Sequence, residues 1–385
     1  MLFRMRIKRS ATTLTALALL LTTALIAQQP SAPTPDAQSA KPVLHKAPEA
    51  EKTEAAPVPA KPVNLFAVVR DKKGQAVTTL AKDDFVLEQD GRPQAITQFV
   101  PETDQPIIIG ILADTGPGQR NELSDERKAA TDFVRQLRED KDKAFVLHFD
   151  HEVELLQDIT ASHDKLAKGV DQISVGDSAA NASGRRRDAP DSDHPRYFFG
   201  GGMLYDAVFL SADEVLKGQK GRKAVIVFSD GVDHESKTNL DRAIEAAQRA
   251  DMMVYTVYVN SEHDQQQGQQ QGGYGRHGGG YPGSSPWPGG GGGRNPRQTQ
   301  PEPKENKDAN KKTLKRLADE TGGRSFEVSK KETAAQIYAQ IQDELKHQYG
   351  LVYMPDKPEA GYHKVKLSTK KPDMTVQVRE GFYGD

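Results

Sequence analysis

The chain has 385 residues, which is enough for two or three domains of ~100–200 residues each. Hydrophobic residues make up 36% of it, against a usual ~45–50%, because several segments are polar and of low complexity. The net charge of −2 offers no overall attraction to nucleic acid or to an anionic membrane. The chain contains no cysteine, which excludes disulfides, thiolate metal sites and cysteine nucleophiles.

The N-terminus predicts export. Four basic residues at positions 4, 6, 8 and 9 precede an apolar run from Ala11 to Ala27, the pattern of a signal peptide over residues 1–27. An uncleaved membrane anchor is the alternative, although the run is short of the ~20 residues of a spanning helix. Both interpretations, a cleaved signal peptide and an uncleaved anchor, predict a periplasmic or secreted protein. Residues 28–62 are rich in Ala, Pro, Lys and Glu, which predicts a disordered linker.

Residues 63–103 predict a small β segment. Apolar runs at 64–69, 85–89 and 95–100 are separated by turn sequences such as Asp71-Lys72-Lys73-Gly74 and Asp90-Gly91. A unit of about 40 residues is too small to bury a stable core alone. This segment therefore needs partner strands from elsewhere in the chain.

Residues 104–348 alternate between strands and helices. Predicted strands are 107–113, 144–149 with a short hairpin mate at 153–156, 224–228, 252–259 and 324–328. Predicted helices are 122–137 with Asn121 as N-cap, 161–173, 203–216, 240–250, 309–321 and 333–347. The Gln- and Gly-rich residues 261–306 interrupt this pattern and predict a disordered surface insertion.

The tail at 349–383 returns to β structure, with alternating strands at 349–353, 362–368 and 375–379. We expect this tail to pair with the 63–103 segment in one small β-sandwich, from which the α/β domain emerges as an insertion. The predicted fold class is α/β, with a doubly wound, mainly parallel sheet covered by helices on both faces.

Two of the predicted strands end in an acid followed by a flexible loop. Seven nearly unbroken apolar residues lead into Asp114, and the strand 224–228 leads through Ser229 into Asp230-Gly231. Ligands of open parallel sheets bind outside the carboxyl ends of the strands. Asp114 and Asp230 are therefore the best candidate site in the sequence.

The order of these motifs resembles the von Willebrand factor type A domain, and more closely the exported acidobacterial proteins of that class. The motifs are Asp114-Thr115-Gly116 with Gly118, Gly200-Gly201-Gly202-Met203-Leu204-Tyr205-Asp206-Ala207, Val227 to Asp233, the turns at 71–74, 83–85 and 90–91, and Gln348 to Tyr353. The resemblance spans about 63–383, apart from 261–306. It implies a doubly wound fold that binds protein partners and often carries a metal-ion-dependent adhesion site.

That adhesion site uses Asp-x-Ser-x-Ser after the first strand, a Thr before the third helix and an Asp after the fourth strand. A mostly neutral oxygen shell leaves Mg²⁺ electrophilic toward a carboxylate of the partner. Here Asp114 and Asp230 stand at the acidic positions, Gly116 and Gly118 replace both serines, and Gly202 falls at the threonine position. The resemblance therefore implies a degenerate site.

Two interpretations of the acids stay open at this stage. Asp114 and Asp230 hold a hydrated Mg²⁺ or Mn²⁺, or they are structural and accept hydrogen bonds from loop amides. Thr115 and Ser229 supply no obvious substitute hydroxyl, because alternate strand residues point to opposite faces. We expect Asp206 to cap its helix or face solvent, and Asp233 to lie in a solvated loop.

The leading functional hypothesis is an exported, non-catalytic adhesion or interaction module with protein partners and no nucleic acid. Membrane contact is expected only through an uncleaved N-terminal anchor. The alternatives are a structural envelope component without a metal and a hydrolase that uses Asp114 and Asp230. His148 and His151 are not expected to converge on a zinc ion, and we expect Arg185–Arg187, Tyr274, Tyr281 and Trp287 to lie in solvated segments.

Overall fold

A computed structural model describes residues 6–7, 61–101, 105–174, 202–260, 306–356 and 359–384. By its contacts the chain divides into two units, and every described residue belongs to the one formed by Met1–Ile7 and Ala60–Asp385. The strands are β1 (Arg6–Ile7), β2 (Val63–Arg70), β3 (Phe85–Gln89), β4 (Arg92–Gln94), β5 (Ile96–Val100), β6 (Ile107–Asp114), β7 (Lys143–Phe149), β8 (Val153–Thr160), β9 (Arg222–Ser229), β10 (Met252–Tyr258), β11 (Ser325–Glu327), β12 (Tyr349–Tyr353), β13 (Gly361–Thr369), β14 (Thr375–Gln377) and β15 (Gly381–Gly384). The helices are α1 (Leu123–Val134), α2 (His163–Asp171), α3 (Leu204–Leu210), α4 (Leu240–Arg249), α5 (Lys307–Thr321) and α6 (Ala334–Lys346).

The largest sheet has the order β1-β8-β7-β6-β9-β10-β11. Strands β7, β6, β9, β10 and β11 are parallel to one another, and β8 pairs antiparallel with β7. Every residue of β6, β9 and β10 is buried, because helices cover both faces of the sheet. The core on one face contains residues of α1, α2 and α6. The core on the other face contains residues of α3, α4 and α5. The predicted doubly wound α/β fold is confirmed.

The two β segments pair as predicted. Strand β12 from the tail is antiparallel to β2 and β5, and β13 is antiparallel to β3. The resulting four-stranded sheets, β14-β2-β12-β5 and β15-β13-β3-β4, enclose a separate hydrophobic core that includes Leu65, Phe85 and Tyr349. The Tyr349 hydroxyl donates to the Val77 carbonyl at 2.7 Å and accepts from the Leu80 amide at 3.0 Å, so this buried polar group is satisfied.

Some boundaries differ from the prediction. Helix α1 begins at Leu123 with Glu122 at the N-cap position and no side-chain cap, so the prediction of Asn121 as the cap was wrong. Of the helix predicted over 203–216, the α-helical part ends at Leu210, and a π-helical turn, Ser211–Val215, follows it. The short edge strands β4 and β15 were not predicted, because three or four residues carry too little alternation.

Several predicted segments lie outside the described residues. They are the signal peptide apart from Arg6–Ile7, the linker apart from residues 61–62, the insertion apart from Asn306, and Gly200, Gly201 and Arg185–Arg187. Tyr274, Tyr281 and Trp287 belong to that insertion. In the part of the chain that the structure describes, no helix combines the length and apolar character needed to cross a membrane.

A buried ion cluster joins the sandwich to the C-terminal helix of the α/β domain. The Glu344 carboxylate on α6 lies 2.5 Å from Arg70 Nη2 on β2 and 2.8 Å from Arg324 Nη1. Shortly after Glu344 in sequence, Gln348 accepts at Oε1 from the buried Arg222 of β9 at 2.6 Å. These side chains fix α6 against both the large sheet and the sandwich.

We expect Glu344→Ala to lower the free energy of unfolding by about 3 kcal/mol, because it leaves the buried Arg70 without its anion. Urea denaturation followed by circular dichroism measures the loss. Glu327→Ala is the control, because it breaks an exposed pair with Lys311 and should cost less than about 1 kcal/mol. Equal losses in the two variants would contradict a joining role for this cluster.

Candidate functional site

Adjacent parallel strands bring the candidate acids to one edge of the large sheet. Strands β6 and β9 pair in register from Ile107 with Arg222 to Ala113 with Phe228, so the residues that follow leave the sheet side by side. On the other side of β6, Asp114 pairs with Phe149 at the end of β7. Asp114, Asp150 and Asp230 thus stand at the carboxyl ends of three neighbouring strands. We call these three residues the acidic rim.

Asp114 is the most enclosed member of the acidic rim, with 3% of its surface exposed. Its Oδ1 accepts from the Gly116 amide at 2.9 Å, and its Oδ2 accepts from the Ser229 hydroxyl at 2.7 Å. The Ser229 hydroxyl also accepts from the Gly231 amide at 3.0 Å. Both carboxylate oxygens are therefore held by the loops that follow β6 and β9.

The expectation that Ser229 supplies no hydroxyl to the site was wrong. Ser229 lies opposite Asp114 in the register of β6 and β9, and directly opposed residues project on the same face of a sheet. Thr115 does point elsewhere. Its hydroxyl donates to the Phe149 carbonyl at 3.3 Å and lies 3.4 Å from His148 Nδ1, on the β7 side.

Asp150 is the member that the sequence analysis missed. It is 8% exposed, and its buried Oδ1 has no hydrogen-bond partner. The signal was present, since the apolar strand 144–149 ends in an acid just as the strands before Asp114 and Asp230 do. Asp230 is half-buried, and its Oδ1 accepts from the Val232 amide at 3.0 Å.

The carboxylates of the acidic rim disfavour one another's ionised forms. Burial first, and then the charge of Asp230, raise the pKa of Asp114 to about 8, against the hydrogen bonds from Gly116 and Ser229. The charge of Asp150 acts in the same direction. Burial also raises the pKa of Asp150 itself. A proton or a cation would relieve this repulsion.

The glycines of the predicted loops leave space around Asp114. A Cβ added at Gly116 would lie 3.1 Å from Asp114 Oδ1 and 3.8 Å from Asp150 Oδ1. One added at Gly202 would lie 3.1 Å from the Phe149 ring and 3.6 Å from Asp114 Oδ1. Gly118 lies in a short 3-10 turn, Pro117–Gln119, further along the same loop. Gly116 and Gly202 therefore face the acidic rim, where the resemblance places hydroxyl ligands.

Asp206 and Asp233 hold the loop after β9 against helix α3. Asp206 is fully buried and accepts from the amides of Lys237 and Thr238 at 3.0 and 2.8 Å. Asp233 Oδ1 accepts from the Tyr205 amide at 3.1 Å and from the Ser236 hydroxyl at 2.6 Å. The expectations of a helix cap or solvent exposure for Asp206 and of a solvated loop for Asp233 were wrong. Both carboxylates cross-link backbone that lies about 30 residues away in sequence.

The donors at the acidic rim are hard oxygens, which suit Mg²⁺ or Mn²⁺, and Asp150 Oδ1 is a buried oxygen without a partner. Within the described ranges, however, no three His, Asp or Glu side chains are arranged as a metal-ligand group. A metal here would depend on Asp114, Asp230, hydroxyl groups and water. The two neighbouring histidines have other partners, His148 with Glu154 at 3.4 Å and His151 with Glu235 at 3.1 Å.

No protein-family model and no curated protein sequence matches the chain. Solved structures resemble it at 10–15% identity. A von Willebrand factor type A protein from Catenulispora acidiphila is 10% identical over 86% of this chain and 75% of its own, with a TM-score of 0.41. An aerotolerance-related membrane protein from Bacteroides fragilis is 13% identical over 62% of this chain and 98% of its own, with a TM-score of 0.37.

Proximal thread matrix protein 1 from the mussel byssus, solved with zinc in its metal-ion-dependent adhesion motif, is 11% identical over 68% of this chain and 50% of its own, with a TM-score of 0.41. Von Willebrand factor A domains are thus among the structural neighbours of the chain. At these identities and TM-scores the neighbours transfer neither a site nor a function.

We expect the raised pKa of Asp114 to make stability depend on pH. Between pH 3.8, the ordinary pKa of an aspartate, and a pH of about 8, the Asp114 carboxyl carries a proton in the native protein but has lost it in the unfolded chain. This contribution to stability is therefore complete below pH 4 and is lost as the pH rises to about 8. Urea midpoints of wild type and Asp114→Asn, measured from pH 4.5 to 8.5, should diverge in favour of the variant as pH rises. A constant difference would contradict the raised pKa, and Asp164→Asn, an exposed carboxylate on α2, is the control.

Proposed function

We propose that the chain is an exported, non-catalytic protein-binding module of the von Willebrand factor A type, and that partners dock on the acidic rim. The observation that carries this proposal is the convergence of Asp114, Asp150 and Asp230 at the carboxyl ends of β6, β7 and β9, respectively. This edge is where open parallel sheets bind their ligands. The basic and apolar N-terminal run supports export of the chain to the periplasm or the medium.

A hydrated Mg²⁺ or Mn²⁺ is the cation that we propose for this surface. Asp114 and Asp230 would hold it, with the Ser229 hydroxyl and Asp150 Oδ1 as further oxygen donors. When bound, such an ion supplies an electrophilic contact for a carboxylate of the partner. Because Gly116 and Gly202 offer no side-chain oxygen, several of its ligands would be water, which Mg²⁺ retains readily.

The geometry of the site favours binding over hydrolysis. Thr115 and His148 resemble a nucleophile and its base, but Thr115 is only 1% exposed and its hydroxyl donates to the Phe149 carbonyl. A nucleophile must reach both its base and the substrate. Asp114 is similarly enclosed, with hydrogen bonds to both oxygens. Neither group is free to attack a substrate.

Metal binding by the purified chain tests the proposal. We expect Mn²⁺ to bind and to raise the melting temperature at pH 7.5, because a ligand that binds only the native state stabilises it. Asp114→Asn and Asp230→Asn should each weaken the binding at least tenfold in calorimetry. Asp213→Asn, which removes an exposed carboxylate beyond α3, should leave it unchanged.

A partner-capture experiment distinguishes metal binding from partner binding. A pull-down from envelope extract should recover a partner that is lost with chelator and with Asp114→Asn, but retained with Asp213→Asn. Capture that survives both chelator and Asp114→Asn would remove the acidic rim as the docking surface. Absence of Mn²⁺ binding together with intact capture would reduce the site to a structural role.

Restoring one hydroxyl is a gain-of-function test. Gly116 has φ −57° and ψ 158°, which any L-residue can adopt, and its added Cβ is tight only against Asp114 Oδ1. We expect Gly116→Ser to increase Mn²⁺ affinity at least tenfold, because it adds an oxygen donor beside two carboxylates. Gly116→Ala is the matched control, with the same backbone change and no hydroxyl. Equal affinities for the two variants would contradict a metal at this position.

A further inference from the structure

A cleft of about 860 Å³ lies between helix α1 and the segment that leads into helix α6. Its floor is formed at the ends of β9 and β10 by Phe228 and Val259, with Val328 beside them. Such a volume is within the range of sites that bind small molecules or several residues of a peptide. The acidic rim is not part of its lining.

Glu126 is a buried acid that lines this cleft. It is 3% exposed, it lies on the inner side of α1, and its buried Oε1 has no hydrogen-bond partner. Buried polar groups are almost always paired, because an unpaired one costs roughly 1–3 kcal/mol. A ligand that donates hydrogen bonds would satisfy this oxygen at the wall of the cleft.

The charge around the cleft is also negative. Glu122, Asp125 and Asp132 on or beside α1 join Glu126, so that four carboxylates face two lysines, Lys128 and Lys330. The first turn of α6 does not make the cleft an anion site. Its capping box is closed, with the Gln336 amide donating to Thr333 Oγ1 and the Thr333 amide donating to Gln336 Oε1.

We propose that this cleft binds a lysine or arginine side chain presented by a protein partner. The carboxylates of Glu126 and Asp125 would receive the cationic head, and the apolar floor would cover the methylene stem. Lysine and arginine combine these two features in one side chain. A hydrogen-bond donor with a positive charge satisfies the unpaired Oε1 and matches the surrounding carboxylates.

Fluorescence anisotropy with labelled pentapeptides tests this assignment on the full chain. The probe is Gly-Ser-Lys-Ser-Gly, and its arginine and norleucine counterparts differ from it only in the central side chain. We expect the lysine and arginine peptides to bind at least tenfold more tightly than the norleucine peptide. EDTA is present throughout, so failure of the proposed metal at the acidic rim does not affect the result.

Three variants locate the binding. Glu126→Gln keeps the shape of the side chain and should weaken the lysine peptide at least tenfold. Lys330→Glu, at an exposed position of the cleft, should tighten it several-fold. Asp164→Asn, which makes the corresponding carboxyl-to-amide change at an exposed position of α2, should have no effect. If Glu126→Gln fails to fold by circular dichroism, the exposed Asp125→Asn takes its place and should weaken binding.

Three outcomes would overturn the proposal. The first is binding of the norleucine peptide as tight as that of the lysine peptide, or no saturable binding at all. The second is unchanged affinity in folded Glu126→Gln and in Lys330→Glu, which would leave Glu126 as a buried acid hydrated by water. The third is tighter binding of free cadaverine than of the lysine peptide, which would assign the cleft to a free amine instead of a protein partner.

Discussion

The mutual repulsion of carboxylates at one edge of a buried sheet is the constraint on which the proposed docking surface depends. Strands β7, β6 and β9 are covered on both faces, so the acids that follow them leave a water-poor core at the same edge. Burial and the neighbouring charges raise the pKa of Asp114 to about 8. In such a place a negative charge is stabilised only by a proton, a cation or hydrogen-bond donors. The loops supply donors to Asp114 but leave Asp150 Oδ1 unpaired.

Two pairs of acids in this domain differ in their hydrogen-bond partners. Asp206 and Asp233 accept from backbone amides and a serine hydroxyl, and they fix the loop after β9 to α3. Asp150 and Glu126 each keep a buried oxygen without a hydrogen bond. The first pair holds loop backbone in place through these hydrogen bonds. In the second pair an unpaired buried oxygen costs stability, which a hydrogen-bond donor from a ligand would restore.

Sequence patterns predicted the architecture because the spacing of apolar residues within one helix or strand identifies that element and its buried face. The β-branched run before Asp114 and the Leu, Ala and Ile spacing of α4 each determine a type of element and a buried face. The chemistry of the site depended on pairing between elements. Ser229 was misjudged because only the register of β6 and β9 places it opposite Asp114. Glu126 was overlooked although it lies three residues after Leu123 and four before Ala130, on the face of α1 that the same periodicity predicts to be buried.

The position of helix α6 decides how the two acidic surfaces influence each other. Its first turn lines the cleft, while Glu344 near its end pairs with Arg70 of the sandwich and the chain then continues into β12. A shift of α6 along its axis would break that buried pair and disturb a strand in the middle of a sandwich sheet. These contacts hold the C-terminal part of α6 in place. The acidic rim and the cleft influence each other electrostatically. Burial first, and then the charge of Asp114, raise the pKa of Glu126 well above its ordinary value. A cation at the acidic rim would therefore lower the pKa of Glu126.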